Sequence, residues 1–293
     1  MQGSQARSGH NVSPDFLAER AKFIRLETVR LSRIAGAGHY SSTFSAAELL
    51  AALYYAQLRI DPAQPGWPDR DRFVLSKGHA AIGLYPVLAD LGYFDKGLLD
   101  NYTRFGSPFG DHPDMKKVPG IDFSSGSLGH GLSIALGMAL GARVQQRSFR
   151  VYCMLGDGEL HEGQVWEAAM AAAHYRLQGL VAIVDRNRLC IDGTTEEVMQ
   201  VEPIEKRFES FGWQVTRIDG HDVEAILSAF DALPPVGEGA PRMIVADTIK
   251  GRGVKRMELS LNWHVGNLVG SDYDEVVAEL EAGLQPLAPE LVR

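Results

Sequence analysis

Apolar and polar positions along the 293-residue chain change period several times, and each change marks an element. From residue 16 to 35, Phe16, Phe23, Ile24, Leu26, Leu31 and Ile34 fall among charges at helical intervals, and Gly36 and Gly38 follow. That spacing predicts an amphipathic helix with a glycine stop. Ser45 with Glu48 three residues on reads as a capping box opening a second helix, which runs through AELLAALYYAQ and ends before Asp61-Pro62. Later the period changes. Unbroken runs, VYCML at 151–155, LVAIV at 180–184, WQVTRI at 213–218 and MIVAD at 243–247, alternate with helix-like stretches at 163–175, 203–211 and 222–233. Such runs suit parallel strands covered on both faces, so the pattern predicts an α/β fold: a mostly parallel sheet with helices on both faces and right-handed crossovers.

Residues 101–127 are instead rich in Gly, Pro, Ser and Asp. A long loop inside a compact domain is more often functional than idle. In a sheet of this kind ligands bind beyond the carboxyl ends of the strands. Those ends carry Gly156-Asp157-Gly158, Asp185-Arg186-Asn187, Asp219-Gly220-His221 and Thr248-Ile249-Lys250-Gly251. The glycines around Asp157 allow a tight turn and close backbone approach, while the acid projects into the crevice. With the amide oxygen of Asn187 it offers two hard oxygen ligands. That is a partial site suited to Mg2+, which completes its octahedron with water and ligand phosphate, so a phosphorylated cofactor is expected. A short glycine motif alone is equally readable as a plain turn, and Asn187 is what favours the metal.

Composition adds limits. With 45% apolar and 23% charged residues the chain has material for a sizeable core. Its 29 basic and 37 acidic residues give a net charge of −8, which argues against nucleic acid or an anionic membrane as a partner. Any bound phosphate must be held by local design. Cys153 and Cys190 form no CxxC pattern, so neither a disulfide framework nor a thiolate zinc site is expected. Residues 1–15 lack the order of a signal peptide and the apolar stretch at 134–139 is too short for a membrane span, so a cytoplasmic location is expected. His161-Glu162 begins like HExxH, but no second histidine follows at the required spacing. A lone histidine is more often packed than catalytic, and the nine histidines need context to be told apart.

That context comes from longer motifs. GDGELHEGQVWEA at 156–168 with VAIVDRNRLCIDG at 181–193 resembles the thiamine diphosphate signature of transketolases. RDRFVLSKGHAA at 70–81, GDHPDMKKVPGID at 110–122, SSGSLGHGLSIALGMALGAR at 124–143 and TIKGRGV at 248–254 resemble other transketolase segments in the same order. The resemblance implies a thiamine diphosphate-binding fold over residues 16–283, with a polar lead at 1–15 and a tail at 284–293. It implies Mg2+, with Ca2+ or Mn2+ able to substitute, on Asp157, Asn187 and the Leu189 carbonyl. Gly156, Gly158 and His79 would face the diphosphate, and Gly126 with Leu128 the cofactor's thiazolium and phosphate ends. His39 and His79 would assist proton transfer, His112 would hold the hydroxyketone end of a sugar donor, and His264 would lie near substrate. Glu162 and Glu167 match acids at a subunit interface that connect paired cofactors.

The family carries a two-carbon ketol unit from a ketose to an aldose. Its activating glutamate and phosphate-binding arginines lie in a domain that nothing in 1–293 matches. The resemblance therefore implies the N-terminal, or A, subunit of a split transketolase, working with a separate C-terminal, or B, subunit in an α2β2 assembly. Tyr40-Ser41-Ser42, His130 and the Val-Gly-Asn after His264 depart from the family pattern on the expected donor side, which leaves the donor, phosphorylated or not, open. Two other readings share the GDG and asparagine logic. One is the α subunit of a thiamine diphosphate-dependent 2-oxoacid dehydrogenase or acyloin-forming carboligase, and the other is a non-catalytic regulatory subunit of the same fold.

Overall fold

The computed structural model describes residues 12–284. The predicted tail from 285 onward and residues 1–11 of the predicted lead lie outside the described residues. Pro14 and Asp15, expected in the lead, already belong to α1 (Pro14–Ala35). Ser13 caps that helix by accepting from the Phe16 N–H, Pro14 sits where its missing N–H costs nothing, and Gly36 ends the helix at φ 80°.

The second predicted helix differs in its start. The chain is already helical over α2 (Tyr40–Ser45), shifts register at Ala46, continues as α3 (Ala47–Ala52) and widens into a π turn at Leu53–Gln57. Ser45 does not cap it. The Ser45 hydroxyl donates to Asp185, 2.7 Å away, and Glu48 is buried against Arg25 and His221. Tertiary partners have taken both residues that local spacing assigned to a cap.

The remaining elements are β1 (Arg72–Leu75), α4 (Ala81–Leu91), α5 (Gly131–Val144), β2 (Val151–Gly156), α6 (Gly163–His174), β3 (Leu180–Arg186), α7 (Thr195–Val198), α8 (Ile204–Phe211), β4 (Gln214–Asp219), α9 (Val223–Asp231), β5 (Arg242–Asp247) and α10 (Ser271–Glu281). Among the described residues the sheet has five strands in the order β1-β2-β3-β5-β4, all parallel. β1 is a strand that the periodicity did not flag, because RFVL is short and Arg70-Asp71-Arg72 introduces it.

Alternate strand residues enter two separate cores. Phe73, Leu75, Tyr152, Met154, Val181, Ile183, Ile244 and Ala246 pack with α1, α3, α4 and α9 on one face. Val74, Val151, Cys153, Leu155, Leu180, Ala182, Val184, Met243 and Val245 pack with α5, α6 and α8 on the other. Two covered faces explain why the central runs are apolar without alternation. Each buried aliphatic side chain contributes roughly 1.5–3 kcal/mol, so the sheet rigidly fixes the loops at its edge. β4 corrects the expectation of full coverage for 213–218. It pairs with β5 alone at the sheet edge, and its side chains are exposed or half-buried. A third core, with Val276 and Leu280 of α10 packed on Val29, Tyr40 and Phe44, fastens the end of the described chain beside α1. No helix among the described residues is long and apolar enough to cross a membrane.

Candidate active site

The strand ends gather a buried polar cluster. β2 delivers Asp157, β3 delivers Asp185 and Asn187, β1 delivers Lys77 and His79, and β5 delivers Thr248 and Lys250. Asp185 is fully buried and accepts hydrogen bonds from Ser45, Lys77, Thr248 and the Asn187 amide. The Asn187 contact, 3.2 Å from Nδ2 to Asp185, fixes the carboxamide so that Oδ1 faces the turn and accepts from the Leu189 N–H. Asp157 accepts from the backbone N–H groups of Gly158 at 2.9 Å and Arg188 at 2.5 Å. Arg188 itself has φ 68°, the tight turn that brings Leu189 back toward Asp157. The Lys250 ammonium reaches the same turn and donates to the carbonyls of Leu189 and Cys190 at 2.8 and 3.2 Å.

Electrostatics show what this cluster lacks. Burial and the neighbouring Asp185 carboxylate push the Asp157 pKa up to about 7, against the partial relief of its backbone donors. Glu159, also buried, is raised by desolvation despite bonds from Ser76, Gly129 and Gly156. Burial and Lys77 bring the Lys250 ammonium down to about 8. Three carboxylates, Asp157, Asp185 and Glu159, therefore face two ammoniums, Lys77 and Lys250. A divalent cation on Asp157, Asn187 Oδ1 and Leu189 O would supply the missing positive charge, and this donor set of hard oxygens fits Mg2+. Among the described residues no three His, Cys, Asp or Glu side chains converge as a metal site.

Above the cluster four histidines converge. The His39 ring lies 5.3 Å from His79, 5.6 Å from His264 and 6.4 Å from His112, and His79 lies 5.5 Å from His264. They come from the start of α2, the turn after β1, the segment before α10 and the long loop, so no local sequence signal places them together. Burial drives His79 well below the ordinary imidazole range, with Lys77, His39, His264 and Lys250 adding repulsion. His264 falls to about 3 for the same reasons, and its Nδ1 is buried without a hydrogen-bond partner. The hydroxyls of Ser42 and Ser125 are likewise buried and unpartnered. Such orphaned polar atoms around one crevice suit a polar ligand.

The long loop closes one side. Gly126 lies so near His112 that an added Cβ would sit 3.4 Å from the imidazole. An added Cβ at Gly158 would meet the Cys190 sulfur at 2.8 Å, so the backbone at this turn has no room for a side chain. Leu128 is half-buried, with its carbonyl 3.2 Å from His130 Nδ1, and Gly156 closes β2. Glu162 and Glu167 stand apart from the histidines on exposed positions of α6 and the turn before it. Tyr40, expected with Ser41 and Ser42 on the donor side, is fully buried and packs edge-on to Phe44 and Trp263.

Sequence reasoning gave no role to Lys77, Asp111, Glu159 or Thr248, nor to His221. His221 accepts from the Ile249 N–H at 2.8 Å and donates to Glu48, 3.0 Å away, so it ties the Lys250 loop to α3. The signal was the place of Lys77, Glu159, Thr248 and His221 after strand ends and of Asp111 in the long polar loop.

The family model for transketolase, thiamine diphosphate binding domain, matches residues 17–289. The chain is 44% identical to a 6-deoxy-6-sulfo-D-fructose transketolase subunit of a Clostridium species over 90% of its length and 96% of that protein. It is 40% identical to an apulose-4-phosphate transketolase subunit of Phocaeicola vulgatus over 91% of its length and 94% of that protein. Against human transketolase the identity is again 40%, over 92% of this chain but only 42% of the human one. The crystal structure of Campylobacter jejuni transketolase superposes with a TM-score of 0.85 at 30% identity, covering 92% of this chain and 43% of that one. The chain thus spans nearly all of the subunit-type relatives and less than half of the single-chain transketolases.

Proposed function

The chain belongs to the transketolase family, and we propose that it is the diphosphate-binding subunit of a two-chain transketolase that moves a ketol unit from a ketose to an aldose. One observation carries the reading: four histidines from four separate segments meet beside a strand edge that carries the buried Asp157 and Asn187 and the half-buried Leu189. The near-complete coverage of relatives named as subunits supports a separate C-terminal chain, and α2β2 is the proposed assembly.

Thiamine diphosphate, when bound, supplies the nucleophilic carbon that opens a ketose beside its carbonyl. The chain's own residues bind and orient. Asp157, Asn187 and the Leu189 carbonyl would hold Mg2+, or Ca2+ or Mn2+ in its place, against the diphosphate. Lys77 and Lys250 would add positive charge, and Gly158 and the side chain of His79 would face the same anion. Gly126 and Leu128 give the loop a surface that backbone can press against the cofactor. His112 and His264 would orient donor hydroxyls, and His39 would exchange protons with them. Glu162, exposed before α6, would meet a neighbouring subunit. A cytoplasmic location is proposed from the same family reading.

The relatives' names speak of a sulfonated and a phosphorylated ketose, so we take an anionic ketose as donor class. Co-purification with a transketolase C-terminal (B) chain, followed by ketol transfer assays with Mg2+ and thiamine diphosphate, tests the reading. Transfer by the pair and none by this chain alone is expected. Full activity of the single chain, or turnover of pyruvate in place of a ketose, would sink it.

A further inference from the structure

Asp111 stands in the long loop between α4 and α5, and its carboxylate reaches the histidine cluster. Its Oδ1 lies 3.3 Å from His39 Nδ1 and 3.3 Å from the Tyr102 hydroxyl, and its Oδ2 lies 3.9 Å from His112 Nδ1. An ionised carboxylate can only accept hydrogen bonds, so the His39 nitrogen facing it must carry the proton. The other ring nitrogen, Nε2, is then the one with the lone pair. A carboxylate behind an imidazole also balances the imidazolium formed when that lone pair takes a proton. Burial alone would raise the Asp111 pKa, but the His39 bond and the charges of His39 and His112 outweigh it and hold the acid ionised.

The neighbouring histidines are built the other way. His264 Nδ1 is buried without a partner, and both His264 and His79 lie toward the Lys77 and Lys250 ammoniums, which disfavour a further positive charge. The groups facing His39 are thus Asp111, His79, His112 and His264, with Tyr102 behind the acid and the two lysines beyond His79. Of these rings, His39 is the one whose nitrogen lies within hydrogen-bond distance of the Asp111 carboxylate.

We propose that Asp111 is a positioning residue for this site: it fixes the Nδ1-protonated tautomer of His39 and so makes His39 Nε2 the nitrogen that takes up the donor's proton. The proposal rests on the ketol-transfer reading. Opening a ketose beside its carbonyl turns the neighbouring alcohol carbon into an aldehyde and releases the hydroxyl proton. Joining the ketol unit to an acceptor aldehyde places one proton on the acceptor's oxygen. One proton is taken up and one is returned, so His39 ends the cycle unchanged and no further reactant is required. The step asks for a ring nitrogen that is unprotonated at the start and stabilised when protonated, which the Asp111 contact provides.

Two measurements decide it. Nitrogen-15 NMR of histidine side chains in the full chain reads tautomers directly and needs neither partner nor cofactor. In the unaltered chain His39 should be Nδ1-protonated, in D111A that preference should be lost, and in D111N, whose amide oxygen still accepts, it should be kept. In the reconstituted pair, D111A should lower kcat about 10- to 100-fold with a much smaller change in KM, with D111N between the two. Thiamine diphosphate affinity, measured calorimetrically, should stay within about twofold, since Asp111 is not among the diphosphate's partners. An unchanged His39 tautomer in D111A overturns the proposal, as does an unchanged kcat. If the unaltered pair shows no ketol transfer, the functional reading fails and the role in transfer with it, while the NMR result still decides where the His39 proton sits.

Discussion

The Lys250 ammonium lies 2.8 Å from the Leu189 carbonyl oxygen, the backbone group expected to hold the divalent cation. The ammonium is fully buried and its acidity is raised by burial and by Lys77, so its charge is held at some cost where a cation and a diphosphate would meet. Lys250 is therefore proposed as a partner of the anion. Lys250→Met should weaken thiamine diphosphate binding about 10- to 100-fold, and the loss should shrink at high salt, because a screened charge contributes less. Titration calorimetry at two salt concentrations checks both.

Asp157 is the one carboxylate of the expected metal set. Asp157→Ala should reduce Mg2+-dependent cofactor binding by at least about 100-fold while improving the stability of the unliganded chain, since a buried acid beside Asp185 is lost. Thermal melts with and without Mg2+ and thiamine diphosphate show this as a lost ligand-induced shift. A shift equal to that of the unaltered chain would remove Asp157 from the metal set.

Among the expected ligands of the cation, the Asp185 carboxylate hydrogen-bonds Asn187, whose amide it orients. Asp185→Asn should cost about 10- to 100-fold in metal affinity. It should also destabilise the fold by about 3–5 kcal/mol, because the buried Lys77 ammonium loses its counter-charge. Chemical denaturation measures the second effect and Mn2+ binding followed by electron paramagnetic resonance the first.

Acid stability should hinge on Glu48. Burial would raise its pKa, but the Arg25 guanidinium and His221 outweigh that and hold it at about 2. A carboxylate whose folded pKa lies below its unfolded value of about 4.3 adds stability above that value. The contribution, about 3 kcal/mol, is lost as pH falls from about 4 toward 2. Glu48→Gln should remove that segment of the stability curve and destabilise at neutral pH as well, since Arg25 would be left buried without its partner. Denaturation midpoints between pH 2 and 7 would reveal an unchanged slope if Glu48 plays no such part.

The sequence by itself determined the fold class and the edge that matters. Apolar runs at 151–155, 180–184 and 243–247 can only be sealed between two layers of helices, and a parallel sheet of that kind opens its strand ends on one side. The GDG turn and Asn187 stand on adjacent strands, as their spacing within one βαβ unit requires. Periodicity missed β1, whose four residues are too few to show a period, and misread Ser45 and Glu48 as a helix cap. Their side chains prefer partners 140 and 23 residues away in the chain. Tertiary structure alone decided that His39, His79, His112 and His264 share one crevice, that Asp185 orients Asn187, and that Asp111 reaches His39. The histidine and Asp111 contacts join segments separated by tens of residues, and local spacing carries no record of a distance that only the packed sheet and its loops create.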